Sequence, residues 1–200
     1  MSCIVGIINY GLSGNIHSIQ KALLKAGAKV RVIECLEDFY HIDKLVVPGV
    51  GSFKEAMLEL EQKGFIEKIQ AFDKPILGIC LGMQILSDIG FEYGETQGLG
   101  LISAKVQKMT HVALLPHVGF SPIEISREGS ILQGLEQAEF YFMHSYSVTH
   151  CHNVTSVAEY EGQKLTASIQ KGHLYGVQFH PEKSRDAGIK LFENFIRLSE

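Results

Sequence analysis

No stretch of this 200-residue chain strings together the roughly 18 apolar residues of a membrane span, so no membrane partner is expected. Excess positive charge is also missing: 18 Lys and Arg stand against 22 Asp and Glu, a formal net charge of -4 that leaves no footprint for nucleic acid. The opening Met1-Ser2-Cys3-Ile4-Val5-Gly6 has no basic segment ahead of an apolar one, and a cytoplasmic location is expected. Cysteine is scarce. Cys3, Cys35, Cys80 and Cys151 contain no C-x-x-C pair, which speaks against a disulfide framework in a reducing compartment. Repeats, low-complexity tracts and Pro/Gly/Ser-rich linkers are absent, so residues 1–200 are expected to form a single domain, near the upper size that one core supports.

What the chain does have is alternation. Ile4–Ile8 is a nearly all-apolar run, as in a strand buried on both faces, and it ends in the turn-rich Asn9-Tyr10-Gly11-Leu12-Ser13-Gly14. Ile16, Ile19, Leu23, Leu24 and Ala26 then recur at helical spacing, with Gly27 where a left-handed C-cap belongs. Strands are expected at Lys29–Ile33, Leu45–Val47 and Pro75–Ile79, and helices over Ser52–Gln62, Phe65–Phe72 and Leu81–Ser87. Such alternation predicts an α/β fold with a mainly parallel sheet wrapped by helices. After about Gly94 the pattern changes to short strand-like runs at Leu101–Val106, Glu139–Met143, Val154–Tyr160, Thr166–Ile169 and Leu174–Phe179, which should add antiparallel strands. A final helix over Arg185–Leu198 would bury Ile189, Leu191, Phe192, Phe195 and Ile196.

Within this pattern Gly78-Ile79-Cys80-Leu81-Gly82 has the G-x-nucleophile-x-G form between an apolar strand and a helix. A nucleophile on so sharp a turn takes a strained backbone, and glycines two residues away on each side remove the side chains that would collide. The first amide of the helix, Leu81, would face developing negative charge, and the helix dipole would favour a thiolate. Cys3, Cys35 and Cys151 lack this setting and read as ordinary small residues.

A thiolate that attacks an amide needs a proton carrier, and the carrier needs an orienting partner. Leu174–Phe179 runs as a strand into His180-Pro181-Glu182, where Pro181 pins a turn that lets Glu182 fold back on His180. Pro48-Gly49-Val50-Gly51 also ends a buried strand, and its glycines let a peptide N–H near Val50 turn toward a ligand as a second oxyanion donor. All three segments leave strand ends, where sites of open parallel sheets assemble. In His150-Cys151-His152 adjacent side chains alternate in direction, so the segment is read as surface and no metal or cofactor is expected. His144 lies in an aromatic run, and a hydrogen-bonding role is expected for it. His17, His41, His111 and His173 read as surface or loop residues.

Together, Pro48-Gly49-Val50-Gly51, Gly78-Ile79-Cys80-Leu81-Gly82-Met83-Gln84 and Gln178-Phe179-His180-Pro181-Glu182-Lys183-Ser184 resemble the class I, triad-type glutamine amidotransferases. Within that class Leu115-Pro116-His117, Tyr141-Phe142-Met143-His144-Ser145-Tyr146 and Lys183-Ser184 are similar to the glutaminase subunits of imidazole glycerol phosphate synthases. The resemblance implies a flavodoxin-like three-layer fold, Cys80 as nucleophile, His180 as general acid/base and Glu182 as its orienter. It implies that Gly49, Gly51, Gln84, Ser145 and Tyr146 hold L-glutamine. It further implies a (β/α)8 cyclase/synthase partner that receives ammonia as a heterodimer and makes imidazole glycerol phosphate and AICAR, with Asn15, Phe120, Tyr141 and Lys183 at the interface. The chain departs from that pattern in two places. Phe120-Ser121 stands where a Trp-Asn pair belongs, and Asn9–Asn15 is one residue longer than the family segment. Those departures keep an alternative open: a paralogous glutaminase that supplies ammonia to a different synthase, for example in sugar amination or amidination during surface-glycan synthesis. A non-catalytic module on the same fold is a further alternative, and the complete set of catalytic residue types counts against it.

Overall fold

The computed structural model describes residues 3–11, 15–127 and 130–199. Leu12-Ser13-Gly14, the centre of the first expected turn and of the lengthened segment, lies outside them. Strand β1 (Ile4–Ile8), helix α1 (Ile16–Lys25), β2 (Lys29–Ile33), β3 (Lys44–Val47), α2 (Phe53–Gln62), α3 (Phe65–Gln70), β4 (Ile76–Ile79) and α4 (Leu81–Ile85) follow in order. Then come β5 (Ser87–Gly90), β6 (Thr96–Gln97), β7 (Ile102–Lys108), β8 (His117–Ile125) and β9 (Glu139–His144). After them β10 (Tyr146–Thr149), β11 (Val154–Tyr160), β12 (Gln163–Lys171) and β13 (Leu174–Val177) precede α5 (Arg185–Arg197).

A nine-stranded sheet runs in the order β2-β1-β3-β4-β13-β12-β11-β8-β9. Its first five strands are parallel and in the flavodoxin order, whereas each neighbour beyond β13 is antiparallel. The central strands are apolar on both faces because both faces are covered. On one side Val5, Ile7, Val46, Leu77 and Val177 pack with Ile19 and Leu23 of α1 and with Leu191, Phe192 and Phe195 of α5. On the other, Leu45, Val47 and Ile76 pack with Phe53 and Leu60 of α2, Phe65 and Ile69 of α3, and Ile102, Ala104 and Val148 of a second sheet ordered β10-β7-β5-β6. The result is three layers.

Local signals explain the helix ends. Ser52 caps α2 by accepting the Glu55 amide at 3.3 Å. Gly27, at φ +96°, follows α1 in the left-handed conformation expected of it.

Three expectations need correction. The helix after Cys80 ends at Ile85, not Ser87, because Ser87 already pairs with Ile102 in the second sheet. Strand β13 ends at Val177, although Gln178 still donates its amide to Ala167 O. Strands β5, β6, β8 and β10 were not expected at all. Gly119 and Pro122 interrupt the apolar pattern of β8, and Pro122 sits where β8 changes partners, from β9 over His117–Pro122 to β11 over Ile123–Ile125.

Backbone packs very closely around the elbow. A Cβ on Gly82 would fall on the Val47 carbonyl, and one on Gly78 would come within 2.6 Å of the Gly82 carbonyl oxygen. Backbone cannot yield there as a flexible side chain can. Gly82→Ala is therefore expected to cost about 4 kcal/mol or more and to lower the thermal midpoint by roughly 10 °C. Thermal unfolding followed by circular dichroism checks this, and a midpoint within about 2 °C of the parent would show that the contact is dispensable.

Candidate active site

Cys80 lies between β4 and α4 with φ +54° and ψ -111°, a strained conformation for a residue with a side chain. Its amide donates to Val177 O at 2.7 Å, which pins the elbow to β13, and the residue is 7% exposed. Because α4 has five residues, its dipole is that of little more than one turn, weaker than a full helix would supply.

Three residues beyond β13, His180 donates through Nδ1 to Glu182 Oε1 at 2.8 Å, across the single turn Pro181–Lys183. Both side chains are buried. Asn15, at the N-cap position of α1, does not cap its helix; its amide instead donates to the same Glu182 Oε1. Ser184 completes the turn: its hydroxyl donates to His180 O at 2.6 Å and accepts the Tyr141 amide at 3.0 Å. The His180 amide bonds Tyr141 O at 2.8 Å, so the turn is stitched to β9.

Burial works against a charged His180, but the Cys80 sulfur and the Glu182 carboxylate outweigh it and push its pKa up to about 10. Cys80 and Glu182 thus flank the ring, with Nδ1 committed to Glu182 and Nε2 buried without a hydrogen-bond partner among the described residues.

That cavity measures about 460 Å³. Of the residues singled out in the sequence, Val50, Gly51, Cys80, Leu81, Gln84, Ser145, Tyr146 and His180 line it. Gly49 lies just behind, where a Cβ would sit 2.6 Å from the Tyr10 hydroxyl and 2.8 Å from the Leu81 Cβ. Glu182 and Asn15 stand behind His180. Phe120, Tyr141 and Lys183 do not reach the cavity; they share the outer face of β8 and β9, where Lys183 Nζ lies 5.5 Å from the Tyr141 ring and the Arg185 guanidinium 4.6 Å from that of Phe120.

The structure adds residues that sequence reasoning missed. Glu92 and Lys108 line the cavity with opposite charges, from a turn and a strand end that carry no motif. His144, which the sequence did single out, also lines it, with Nδ1 2.8 Å from Tyr146 O and Nε2 buried without a partner among the described residues. Burial pushes its pKa down to about 4, so the ring is neutral and Nδ1 carries the proton that the carbonyl accepts. That matches the hydrogen-bonding role expected of it. Among the described residues no three metal-ligating side chains come together.

These features define a flavodoxin-like α/β protein with a Cys–His–Glu constellation at the carboxyl edge of its parallel strands. Residues 7–198 match the family described as Glutamine amidotransferase class-I, and the chain belongs to that family. It is 43% identical to imidazole glycerol phosphate synthase subunit HisH 1 of Campylobacter jejuni (strain RM1221), over 97% of this chain and 100% of that protein. It is 39% identical to the HisH subunit of Desulfitobacterium hafniense (strain DSM 10664 / DCB-2), covering 96% and 92%. Among solved structures, PurLQS from Thermotoga maritima superposes with a TM-score of 0.74 at 17% identity, covering 98% of each chain, and a glutamine amidotransferase with a TM-score of 0.76 at 18% identity, covering 97% and 99%. At such identities they speak for the fold.

Because the folded-state pKa of His180 lies above the ordinary 6.5, its charge contributes stability in full below that pH, and the contribution is lost as pH rises toward about 10. A histidine-selective NMR titration should find the ring still protonated at pH 8 in the parent protein, with Cys80→Ala and Glu182→Gln each lowering the midpoint. A midpoint that neither variant moves would show that these partners do not hold the proton.

Proposed function

We propose that this chain, as one glutamine amidotransferase domain over residues 1–200, is the glutaminase subunit of an imidazole glycerol phosphate synthase in histidine biosynthesis. It hydrolyses L-glutamine to glutamate and ammonia. The observation that carries this reading is that Cys80 and His180 line one cavity, with Glu182 bonded to His180 behind it, in a chain so similar to HisH subunits.

In this reading the Cys80 thiolate attacks the side-chain amide carbon of glutamine, and the carbonyl π electrons move onto oxygen. The Val50 and Leu81 amides stabilise that oxyanion. His180, protonated and held by Glu182, gives its proton to the amide nitrogen, the C–N bond breaks and ammonia leaves a γ-glutamyl thioester. Water then attacks the thioester, His180 takes its proton, and glutamate departs as the thiolate re-forms. Glu92 and Lys108 offer the zwitterionic end of an amino acid opposite charges, and Gln84 and the backbone around Ser145 and Tyr146 lie beside it.

Ammonia is proposed to pass in a protected channel to a (β/α)8 cyclase/synthase subunit bound as a heterodimer, which makes imidazole glycerol phosphate and AICAR. Support comes from the outer face of β8 and β9. Val118 pairs with Met143 and Phe120 with Tyr141, and Val118, Phe120 and Met143 are 52%, 38% and 37% exposed, an apolar strip at a sheet edge that runs to the cavity wall through Met143. With Asn15 and Lys183 this strip forms the proposed interface. The same strip carries Phe120, with Ser121 buried behind it, where the family pattern has Trp-Asn; this favours a second reading, a paralogous glutaminase whose partner aminates or amidinates another acceptor.

Mixed with a cyclase subunit and glutamine, the protein should release glutamate, and Cys80→Ala should reduce kcat by on the order of a thousandfold or more. Undiminished turnover by the alanine variant would remove the nucleophile from the scheme. Glu92→Gln should raise KM for glutamine about tenfold or more with kcat largely kept, since a charge-assisted hydrogen bond to the bound amino acid is lost. Activation by the imidazole glycerol phosphate cyclase separates the two readings; no activation by it would favour the paralogue.

A further inference from the structure

Gln178 is fully buried, two residues before His180, and takes no part in the scheme above. Its side-chain Nε2 points at the Cys80 sulfur, 3.6 Å away, and its Oε1 accepts from Gln84 Nε2 at 3.0 Å. Gln84 Nε2 also donates to Tyr146 O at 2.9 Å, and the same carbonyl accepts from His144 Nδ1 at 2.8 Å.

The direction of this network follows from one fact: a backbone carbonyl can only accept. Gln84 must therefore turn its NH₂ toward Tyr146, and the second N–H of that group meets Gln178. Gln178 must answer with its oxygen, which leaves its own NH₂ facing the sulfur. A reversal at any link would set two acceptors or two donors against each other in a buried site.

We infer that this one-way relay from the Tyr146 carbonyl through Gln84 and Gln178 holds an N–H donor on the Cys80 sulfur, so that Gln178 is a positioning residue that stabilises the thiolate. A sulfur accepting a hydrogen bond is favoured when it carries the negative charge. The competing contact is the Met143 carbonyl, 3.9 Å from the sulfur, which can accept from the thiol form alone. The titratable groups around the sulfur are His180 beyond β13 and Tyr10 beyond β1; the Tyr10 hydroxyl is bonded to Pro48 O at 2.7 Å. With α4 so short, the relay supplies polarisation that the helix does not. It also ties the strand segment at Tyr146, beside the expected substrate, to the nucleophile.

The inference rests on Cys80 being the nucleophile, and its test does not depend on turnover. The full chain is alkylated with iodoacetamide, and the modification of Cys80 is followed by peptide mass spectrometry, which separates it from Cys3, Cys35 and Cys151. In Gln178→Met, which keeps the length and removes the donor, the Cys80 rate at pH 7 should fall about tenfold or more while the rate at pH 10.5 stays within about threefold of the parent. Loss of packing alone would change both rates. A pH 7 rate within about twofold of the parent, in a variant with unaltered circular dichroism, overturns the relay. Should Gln178→Met not fold, Gln84→Met decides: it frees the Gln178 amide to rotate and should slow alkylation at pH 7 severalfold, and an unchanged rate overturns the relay. A Cys80→Ala variant that kept its glutaminase activity would instead sink the nucleophile assignment, a separate outcome.

Discussion

Cys80 holds its side chain at φ +54° because the backbone on either side of it cannot be anywhere else. Gly82 packs its Cα against the Val47 carbonyl, Gly78 lies against the Gly82 carbonyl, and the Cys80 amide is bonded to Val177. Three adjacent parallel strands, β3, β4 and β13, are thereby locked to one another at their carboxyl ends. The strain at the cysteine is small beside the burial that over-determines it. Everything else at the site is placed relative to this knot: Gly49 and Val50 leave β3 beside the first turn of α4, and Gln178 and His180 leave β13 beside the sulfur.

The chemistry then depends on how buried polar groups are paired. His180 is flanked by a carboxylate and a sulfur, and the carboxylate is held in turn by Asn15. Ser184 and the His180 amide fasten that group to Tyr141 of β9, whose outer face is the proposed docking strip. A partner seated there would press on a strand that is bonded to the His180 turn and contributes Met143 and His144 to the cavity wall. The proposed interface and the cavity thus share one strand, β9.

Much of this was legible in the sequence, and the reason is local. The Cys80 elbow and the His180-Pro181-Glu182 turn announce themselves because their geometry demands particular neighbours, glycine at 78 and 82 and proline at 181. The buried parallel strands were equally plain, since strands covered on both faces are apolar runs. What escaped was set by tertiary pairing. Ser87–Gly90 joins a sheet that its own residues do not advertise, and His117–Ile125 is a strand despite Gly119 and Pro122 because β9 and β11 supply its partners. Glu92, Lys108 and the donor face of Gln178 meet the site only through folding. The bond from Asn15 to Glu182, spanning 167 residues of chain, likewise forms only through folding.

The most direct test of Cys80 as the nucleophile is a rapid acid quench of the protein, turning over isotopically labelled glutamine with its cyclase partner, followed by peptide mass spectrometry. The account predicts a labelled γ-glutamyl thioester on the peptide containing Cys80, abolished by Cys80→Ala. Glutamate accumulating with no acyl adduct in the quenched samples, or with the adduct on Cys3, Cys35 or Cys151, would contradict it.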